Sequence, residues 1–305
     1  MKKIIILQGG KSEEREISLI TGREIEKELI SIGFSVMKID PKQYSSYSLM
    51  IDDILKEDPY IVFNGLHGAE GEDGRIQALL SLNNIAYTGS DYRASAIAMD
   101  KVISSILAAS AGVPIPKQYI INNEADHPEK ITSQLDFPFV VKPSDSGSSF
   151  GISVVRNEEE INSSILEAFK FSNKVICEQF IPGRELTVTI LGHQILPVVE
   201  IKPKNGWYDF KNKYTSGNTV YEVPAKLSDE ENEIIKNYAV KVFARFGCQV
   251  YGRVDFRYDG ERFYFLEVNT LPGMTSLSLT PMAAKEAGYS FGELLKEIIK
   301  LSIKT

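Results

Sequence analysis

The chain has 305 residues, 43% of them hydrophobic, and its 34 lysines and arginines against 41 acids leave a formal charge of −7. That apolar fraction excludes intrinsic disorder as the main state, and at about 150 residues per domain the length suits two or three domains. The acidic balance argues against a nucleic-acid or anionic-membrane binder, and two cysteines, Cys177 and Cys248, exclude a disulfide framework or a thiolate zinc site.

Lys3 to Leu7 is an apolar β-type run, too short for a signal peptide, and stopped by Gln8-Gly9-Gly10. No run approaches the ~18 apolar residues of a membrane span; a reducing cytoplasm is the expected location. Helical spacing follows from about Ser18 to Ile32, closed by Gly33. Ser35 to Ile39 and Tyr60 to Phe63 read as short strands, with the Tyr/Ser-rich segment Tyr44 to Ser48 irregular between them. This βαβ rhythm predicts a parallel sheet with ligand loops at the strand C-terminal ends, where Gly9-Gly10 and the loop after Phe63 fall.

A first domain boundary precedes one long helix expected from about Arg93 to Ala111, which Gly112, Pro114 and Pro116 end. A compact α+β segment follows. Its strands are Gln118 to Ile121, Phe139 to Lys142, Ile152 to Val155 and Val175 to Gln179, and its helix starts at an Asn157/Glu160 capping box. Pro182-Gly183 marks a second boundary, which gives segments 1–92, 93–181 and 182–305. Strands Glu185 to Leu191 and Gln194 to Ile201 then flank Gly192-His193. A polar loop runs from Lys202 to about Thr219 and holds Trp207, Tyr208, Phe210 and Tyr214; aromatics in a polar loop suit a lid. Ser228 with Glu231 caps a helix reaching Phe246, ended by Gly247, and a hairpin and two helical stretches finish the chain.

The hairpin, Tyr251 to Asn269, turns at Asp259-Gly260. A two-residue turn would put Asp255 and Glu267 on opposite faces. A three-residue loop, Tyr258-Asp259-Gly260, instead puts Arg253, Asp255, Glu267 and Asn269 on one face and Val254, Phe256, Tyr264, Leu266 and Val268 on the other. The second separates polar from apolar far better and is preferred. Two carboxylates, an amide and a guanidinium suit Mg²⁺ beside phosphates; carboxylates alone would equally be a solvated face. Asn269-Thr270-Leu271-Pro272-Gly273 adds backbone N–H groups for an anion.

Between two strands, Lys142-Pro143-Ser144-Asp145-Ser146-Gly147-Ser148-Ser149-Phe150-Gly151 offers a small-residue loop for phosphates, with Lys142 as a point charge. Such loops are common, and this one alone says little. Lys101, in the predicted helix, would on its own be taken as solvent-exposed. Glu178 and Glu185 flank a Pro-Gly linker that suits an adenosine or is simply a surface turn.

Together these pieces resemble the ATP-grasp superfamily and, within it, the D-alanine–D-alanine ligase family, over nearly the whole chain. The motifs are GGKSEEREIS (Gly9 to Ser18), HGAEGEDG (His67 to Gly74), YTGS (Tyr87 to Ser90), AMDK (Ala98 to Lys101), VVKPSDSGSSFG (Val140 to Gly151), EQFIPGRELTV (Glu178 to Val188), YDFKNKY (Tyr208 to Tyr214) and GRVDF…LEVNTLPGMTSLSL (Gly252 to Leu279). Their order and spacing are what is specific. The resemblance implies a mixed α/β (α+β) ATP-grasp architecture: an N-terminal βαβ parallel-sheet domain and two α+β domains clasping the nucleotide. It implies an ADP-forming ligase of peptidoglycan precursor synthesis that joins two D-alanine molecules through an acyl phosphate.

On the same resemblance, Asp255, Glu267 and Asn269 are ligands of two Mg²⁺ (or Mn²⁺) ions on ATP. Lys101, Lys142, Ser148, Ser149 and Lys213 meet the nucleotide phosphates, and Glu178, Phe180, Ile181 and Glu185 form the adenosine site. Glu14 holds the first D-alanine's ammonium group beside His67. Ser148 and Tyr214 tie the central loop to the lid and to Glu14. Arg253 and the Gly273 N–H hold the oxyanion, and Ser278 and Leu279 meet the second carboxylate. Family members are commonly homodimers, and a homodimer is expected, with no nucleic-acid or membrane partner. Leu277 stands where many members carry a histidine, and Asp91 and Ala78 where glycine is frequent. The rival readings are an ATP-grasp ligase for another carboxylate and amine, and a non-catalytic nucleotide sensor, which would have no use for Arg253.

Overall fold

A computed structural model describes residues 2–122, 128–147, 150–204, 218–275 and 278–304. The first unit is the expected parallel sheet, β1 (Lys3–Leu7), β2 (Ser35–Ile39) and β3 (Ile61–Asn64), in the order β2-β1-β3. Ile4 to Leu7 are all fully buried, as a central strand covered on both faces requires. Helix α1 (Arg15–Ser31) packs Ile25 and Leu29 on one face. On the other lie α2 (Tyr47–Lys56) and α3 (Arg75–Leu82). The Tyr/Ser-rich segment is therefore not irregular throughout: Ser46 accepts from the Leu49 amide and starts α2 at Tyr47. A hydroxyl cap outweighs the poor helix propensity of Tyr and Ser.

The long helix expected over Arg93 to Ala111 is two helices, α4 (Tyr92–Met99) and α5 (Lys101–Ser110), separated by Asp100 in an extended conformation. A four-stranded antiparallel sheet follows, β4 (Gln118–Ile121), β5 (Phe139–Pro143), β6 (Ser153–Val155) and β7 (Val175–Gln179), in the order β4-β7-β5-β6. Helices α6 (Pro128–Thr132) and α7 (Ile161–Phe169) lie within this unit. Asn157 accepts from the Glu160 amide at 3.3 Å, but Glu160 reaches back to the Arg156 amide rather than closing a capping box. Phe139, Val141, Val175 and Cys177 pack one core face, which leaves Lys142 and Glu178 on the other.

The largest sheet is antiparallel, in the order β11-β10-β8-β12-β13. Its strands are β8 (Arg184–Leu191), β9 (Gln194–Ile195), β10 (Val199–Pro203), β11 (Thr219–Glu222), β12 (Tyr251–Tyr258) and β13 (Phe263–Asn269). The single strand expected over Gln194 to Ile201 is thus β9 and β10, interrupted at residues 196–198, where Pro197 has no amide to pair. Helix α8 (Asp229–Arg245) has the complete Ser228/Glu231 capping box. It covers the apolar face with Ile235, Ala239, Val242 and Phe243 against Val188, Val254 and Phe256. The last helices, α9 (Leu279–Glu286) and α10 (Phe291–Lys304), join β1, β3 and α1 in one core. Leu295 and Ile298 there share a cluster with Ile4, Phe63 and Leu29. That shared core seats the N-terminal loops beside the chain's C-terminal quarter.

In the hairpin, Arg253 pairs with Asn269 and Asp255 with Glu267, so the four polar residues do share one face. The turn is neither two nor three residues. Tyr258 pairs with Phe263 across a four-residue loop, in which Asp259 accepts from the Glu261 and Arg262 amides. The register then shifts between Asp255 and Phe256. This bulge at Leu266 reverses the alternation. Near the turn the buried residues are Phe263 and Phe265, not Tyr264 and Leu266, while Val268 stays inside as expected.

Candidate active site

The ends of the parallel strands, an obvious place for a ligand, are already filled. The Gly9 amide donates to Ser18 Oγ at 2.8 Å and the Gly10 amide to Asp40 at 3.0 Å. Arg15 clamps Asp40 with both terminal nitrogens, at 3.0 and 2.6 Å. Burial pushes the Asp40 carboxyl up, but the Arg15 hydrogen bond with those from Gly10 and Lys42 more than offsets it and holds the carboxyl below its ordinary value.

The open space lies one layer away. A cleft of about 300 Å³ is lined by Glu14, His67, Lys101, Gly147, Arg253, Glu267, Asn269, Gly273, Ser278 and Leu279. Nine of the sequence candidates, from Glu14 to Leu279, therefore line one cleft, together with Gly147 of the small-residue loop. Glu14 precedes α1 and is 6% exposed. His67 sits in the loop after β3, with Nε2 3.0 Å from Thr21 Oγ1 and Nδ1 3.2 Å from Glu72 Oε1. Ligand atoms of Glu14, His67 and Glu72 all lie within 4.8 Å of one another. Two carboxylates this close in a buried pocket favour a cation between them.

On the opposite wall, Arg253 clamps Asp255 through Nε and Nη2, both at 2.8 Å, and Thr187 Oγ1 donates to Asp255 at 2.5 Å. Asp255 therefore stands behind Arg253 rather than on the cleft surface, where Glu267 and Asn269 do stand. Asn269 also accepts from the Leu271 amide at 2.9 Å, which turns the chain toward Gly273. Ser278 Oγ accepts from the Thr275 amide at 3.1 Å. A side chain at Gly273 would come within 2.8 Å of that hydroxyl.

Lys101 is not solvent-exposed. At 6% exposure its ammonium donates to Ser146 O at 2.7 Å and lies 3.4 Å from Glu267. The other described nucleotide candidates, Lys142, Glu178, Phe180, Ile181 and Glu185, do not line this cleft. Lys142 bonds Glu178 at 2.7 Å, and Gln118 donates to the other Glu178 oxygen at 3.2 Å. In the linker, Ile181 is buried and Phe180 half-buried, and Arg257 ties Ile181 O, Gly183 O and Glu185 at 3.1, 2.9 and 3.5 Å. Ser148, Ser149, Lys213, Tyr214, Leu277 and all but the roots of the expected lid lie outside the described residues. Its roots are β10 and β11, paired in register from Glu200–Glu222 to Pro203–Thr219.

Comparison with known proteins decides the family. A family model described as the D-ala D-ala ligase C-terminus matches residues 107–300, and its N-terminal counterpart matches residues 40–90. The chain belongs to the D-alanine–D-alanine ligase family. A D-alanine–D-alanine ligase of Syntrophotalea carbinolica is 42% identical over 299 residues, covering 98% of this chain and 95% of the relative. The crystal structure of the D-alanine–D-alanine ligase from Bacillus anthracis superposes with a TM-score of 0.89 at 32% identity, covering 100% of this chain and 98% of the other. The structure of the same enzyme complexed with ATP gives 0.86 at 30% identity, with the same coverage. The ATP-grasp architecture is therefore the fold of this chain, and its three-stranded parallel sheet with two antiparallel sheets fits that family.

For a member of the D-alanine–D-alanine ligase family, sequence reasoning missed three polar supports. Glu72 lay inside a recognised motif, yet only the fold brings it to His67. Thr21 is one α1 turn beyond the Glu14 motif. Thr187 was within reach, because it alternates with Glu185 and Thr189 along β8 and pairs with Asp255.

Proposed function

We propose that this chain joins two D-alanine molecules into D-alanyl-D-alanine with ATP, forming an acyl phosphate on the way, in peptidoglycan precursor synthesis. The observation that carries it is one cleft lined by an acid pair, buried Glu14 and half-buried Glu72, together with Arg253, Glu267, Asn269 and Lys101. A zwitterionic amino acid needs both: carboxylates for its ammonium group and cations for its carboxylate.

Glu14, beside His67 and Glu72, receives the first ammonium group. The first carboxylate attacks the γ-phosphorus of ATP, the bond to the β–γ bridging oxygen breaks and ADP leaves, with Lys101 and Lys142 offsetting the charge that gathers there. The second D-alanine, its carboxylate held by Ser278 and the Leu279 amide, gives up one ammonium proton and presents its amine to the acyl carbon. Arg253 and the Gly273 N–H stabilise the tetrahedral oxyanion, and phosphate leaves. Asp255 keeps the Arg253 guanidinium in plane by its two 2.8 Å bonds. Glu178, Phe180, Ile181 and Glu185 serve the adenosine, and Ser148, Ser149, Lys213 and Tyr214 serve phosphates and closure.

Glu267 and Asn269 offer side-chain oxygens on the cleft wall, and Asp255, the direct cross-strand partner of Glu267, would join them by sharing an oxygen that Arg253 now holds. That donor set fits Mg²⁺ or Mn²⁺, two ions per site in this reading, which neutralise phosphate charge when bound. The segments 1–92, 93–181 and 182–305 are the three working parts of this reading, and a cytoplasmic homodimer is its setting. Among the described residues no helix is long and apolar enough to cross a membrane.

The test is phosphate release from ATP with D-alanine, D-lactate and D-serine in parallel, with product identification. Release with D-alanine and a dipeptide product supports the reading. Silence on D-alanine with turnover on another amine refutes it.

A further inference from the structure

Residues 92–110 contain neither glycine nor proline, and by propensity they form one helix. The chain nevertheless leaves the helix at Asp100, with φ −79° and ψ 101°. Its Oδ1 accepts from the Val102 and Ile103 amides at 2.9 and 3.1 Å and from Ser144 Oγ at 3.0 Å. Asp100 is thus both the N-cap of α5 and an anchor for the small-residue loop after β5. In a continuous helix the Lys101 amide would bond the carbonyl four residues back. Here it donates to Ser144 O at 2.8 Å, while the Ser144 amide donates to Lys174 O at 2.9 Å. Every polar atom of Ser144, which is 2% exposed, is engaged. Two residues on, Ser146 O receives the Lys101 ammonium at 2.7 Å.

Amide and ammonium of one lysine therefore bond the same loop, two residues apart, and Asp100 closes the ring. The loop leaves this ring directly for the acid pocket: a side chain at Gly147 would come within 2.8 Å of Glu14 Oε1.

We infer that Asp100 is a positioning residue: it breaks the helix so that Lys101 and the Ser144 to Gly147 loop are set as one unit toward the nucleotide phosphates. This rests on the reading that Lys101 meets those phosphates. A helix running through Asp100 would leave Lys101 on a rotatable stem, with no tie to the loop and more side-chain freedom to lose on each binding event.

The test is steady-state kinetics of the full chain with magnesium, ATP and D-alanine varied in turn. Ser144→Ala deletes the loop bond and leaves the helix cap untouched; Asp100→Ala deletes both. Each is expected to raise the KM for ATP about tenfold, as loss of a hydrogen bond to a charged group does, and to leave the KM for D-alanine within about twofold. Asp100→Asn keeps an accepting oxygen and stays near the parent. A merely structural role would lower the active fraction, and so kcat, without moving either KM; that pattern overturns the inference, as does Asp100→Asn behaving like Asp100→Ala. Lys101→Met separates the layers. If it weakens ATP and Ser144→Ala does not, the clamp alone is wrong; if Lys101→Met leaves ATP binding intact by calorimetry, the reading beneath falls with it.

Discussion

Two lysine–glutamate pairs, one on the four-stranded sheet and one at the cleft, differ in kind. Lys142 and Glu178 are 2.7 Å apart, each side chain 6% exposed, with Gln118 on the second carboxylate oxygen. Lys101 and Glu267 are 3.4 Å apart, and Glu267 is 33% exposed on the cleft wall. The chemistry is the same; the solvent is not. A closed pair cannot lose one partner without stranding a buried charge, whereas an open pair exchanges partners with water or ligand at little cost. The first is therefore a stability element, and the second is open to exchange with whatever enters the cleft.

The sharpest break of that contrast is Glu267→Gln. Turnover should fall about 10³-fold, the scale of losing a group that acts on transition-state charge, while the thermal midpoint moves by less than about 2 °C. Phosphate release and a melting curve on the same sample measure both. Lys142→Met should do the reverse to stability: about 3 kcal/mol lost in urea unfolding, because Glu178 is left buried and unpaired. A loss under about 1 kcal/mol would put the two pairs in one class.

Arg15–Asp40 sharpens the contrast from outside the cleft, with the acid 5% exposed and the arginine 24%. Asp40→Asn should cost about 2 kcal/mol at pH 7. The folded carboxyl sits below its ordinary value, so its contribution is complete above about pH 4. It is lost as pH falls through the folded value. Parent and variant unfolding curves should therefore converge in acid and stay apart at neutral pH. The smallest effect concerns the thiols. Burial pushes Cys177 and Cys248 up to about 12, so iodoacetamide at pH 8 should label neither in the folded chain, and both in urea.

The elements with strong local signals were legible. Gly33 and Gly247 ended their helices at positive φ, Ser228 with Glu231 capped α8, and the apolar run Ile4 to Leu7 gave a fully buried strand. Errors fell where one distant contact outweighed propensity. Asp100 breaks a helix of good formers because Ser144 and two amides need its carboxylate. The polar face of the hairpin was read correctly for a partly wrong reason: a four-residue turn and a bulge at Leu266 together restore the parity that a three-residue loop was expected to supply.

From sequence alone came the residue types of the site, their order, the family, and the alternation that puts Arg253, Asp255, Glu267 and Asn269 on one side of a ribbon. These are local or pairwise properties of the chain, fixed by side-chain period and turn chemistry. What only the folded molecule decided is which ion pairs are closed and which are open. Lys142 and Lys101 look alike in sequence, but one is buried on the face of a four-stranded sheet opposite its apolar core and the other sits at a helix start beside the cleft. The strength of an ion pair depends on the dielectric that distant segments build around it, and that belongs to no single stretch of sequence.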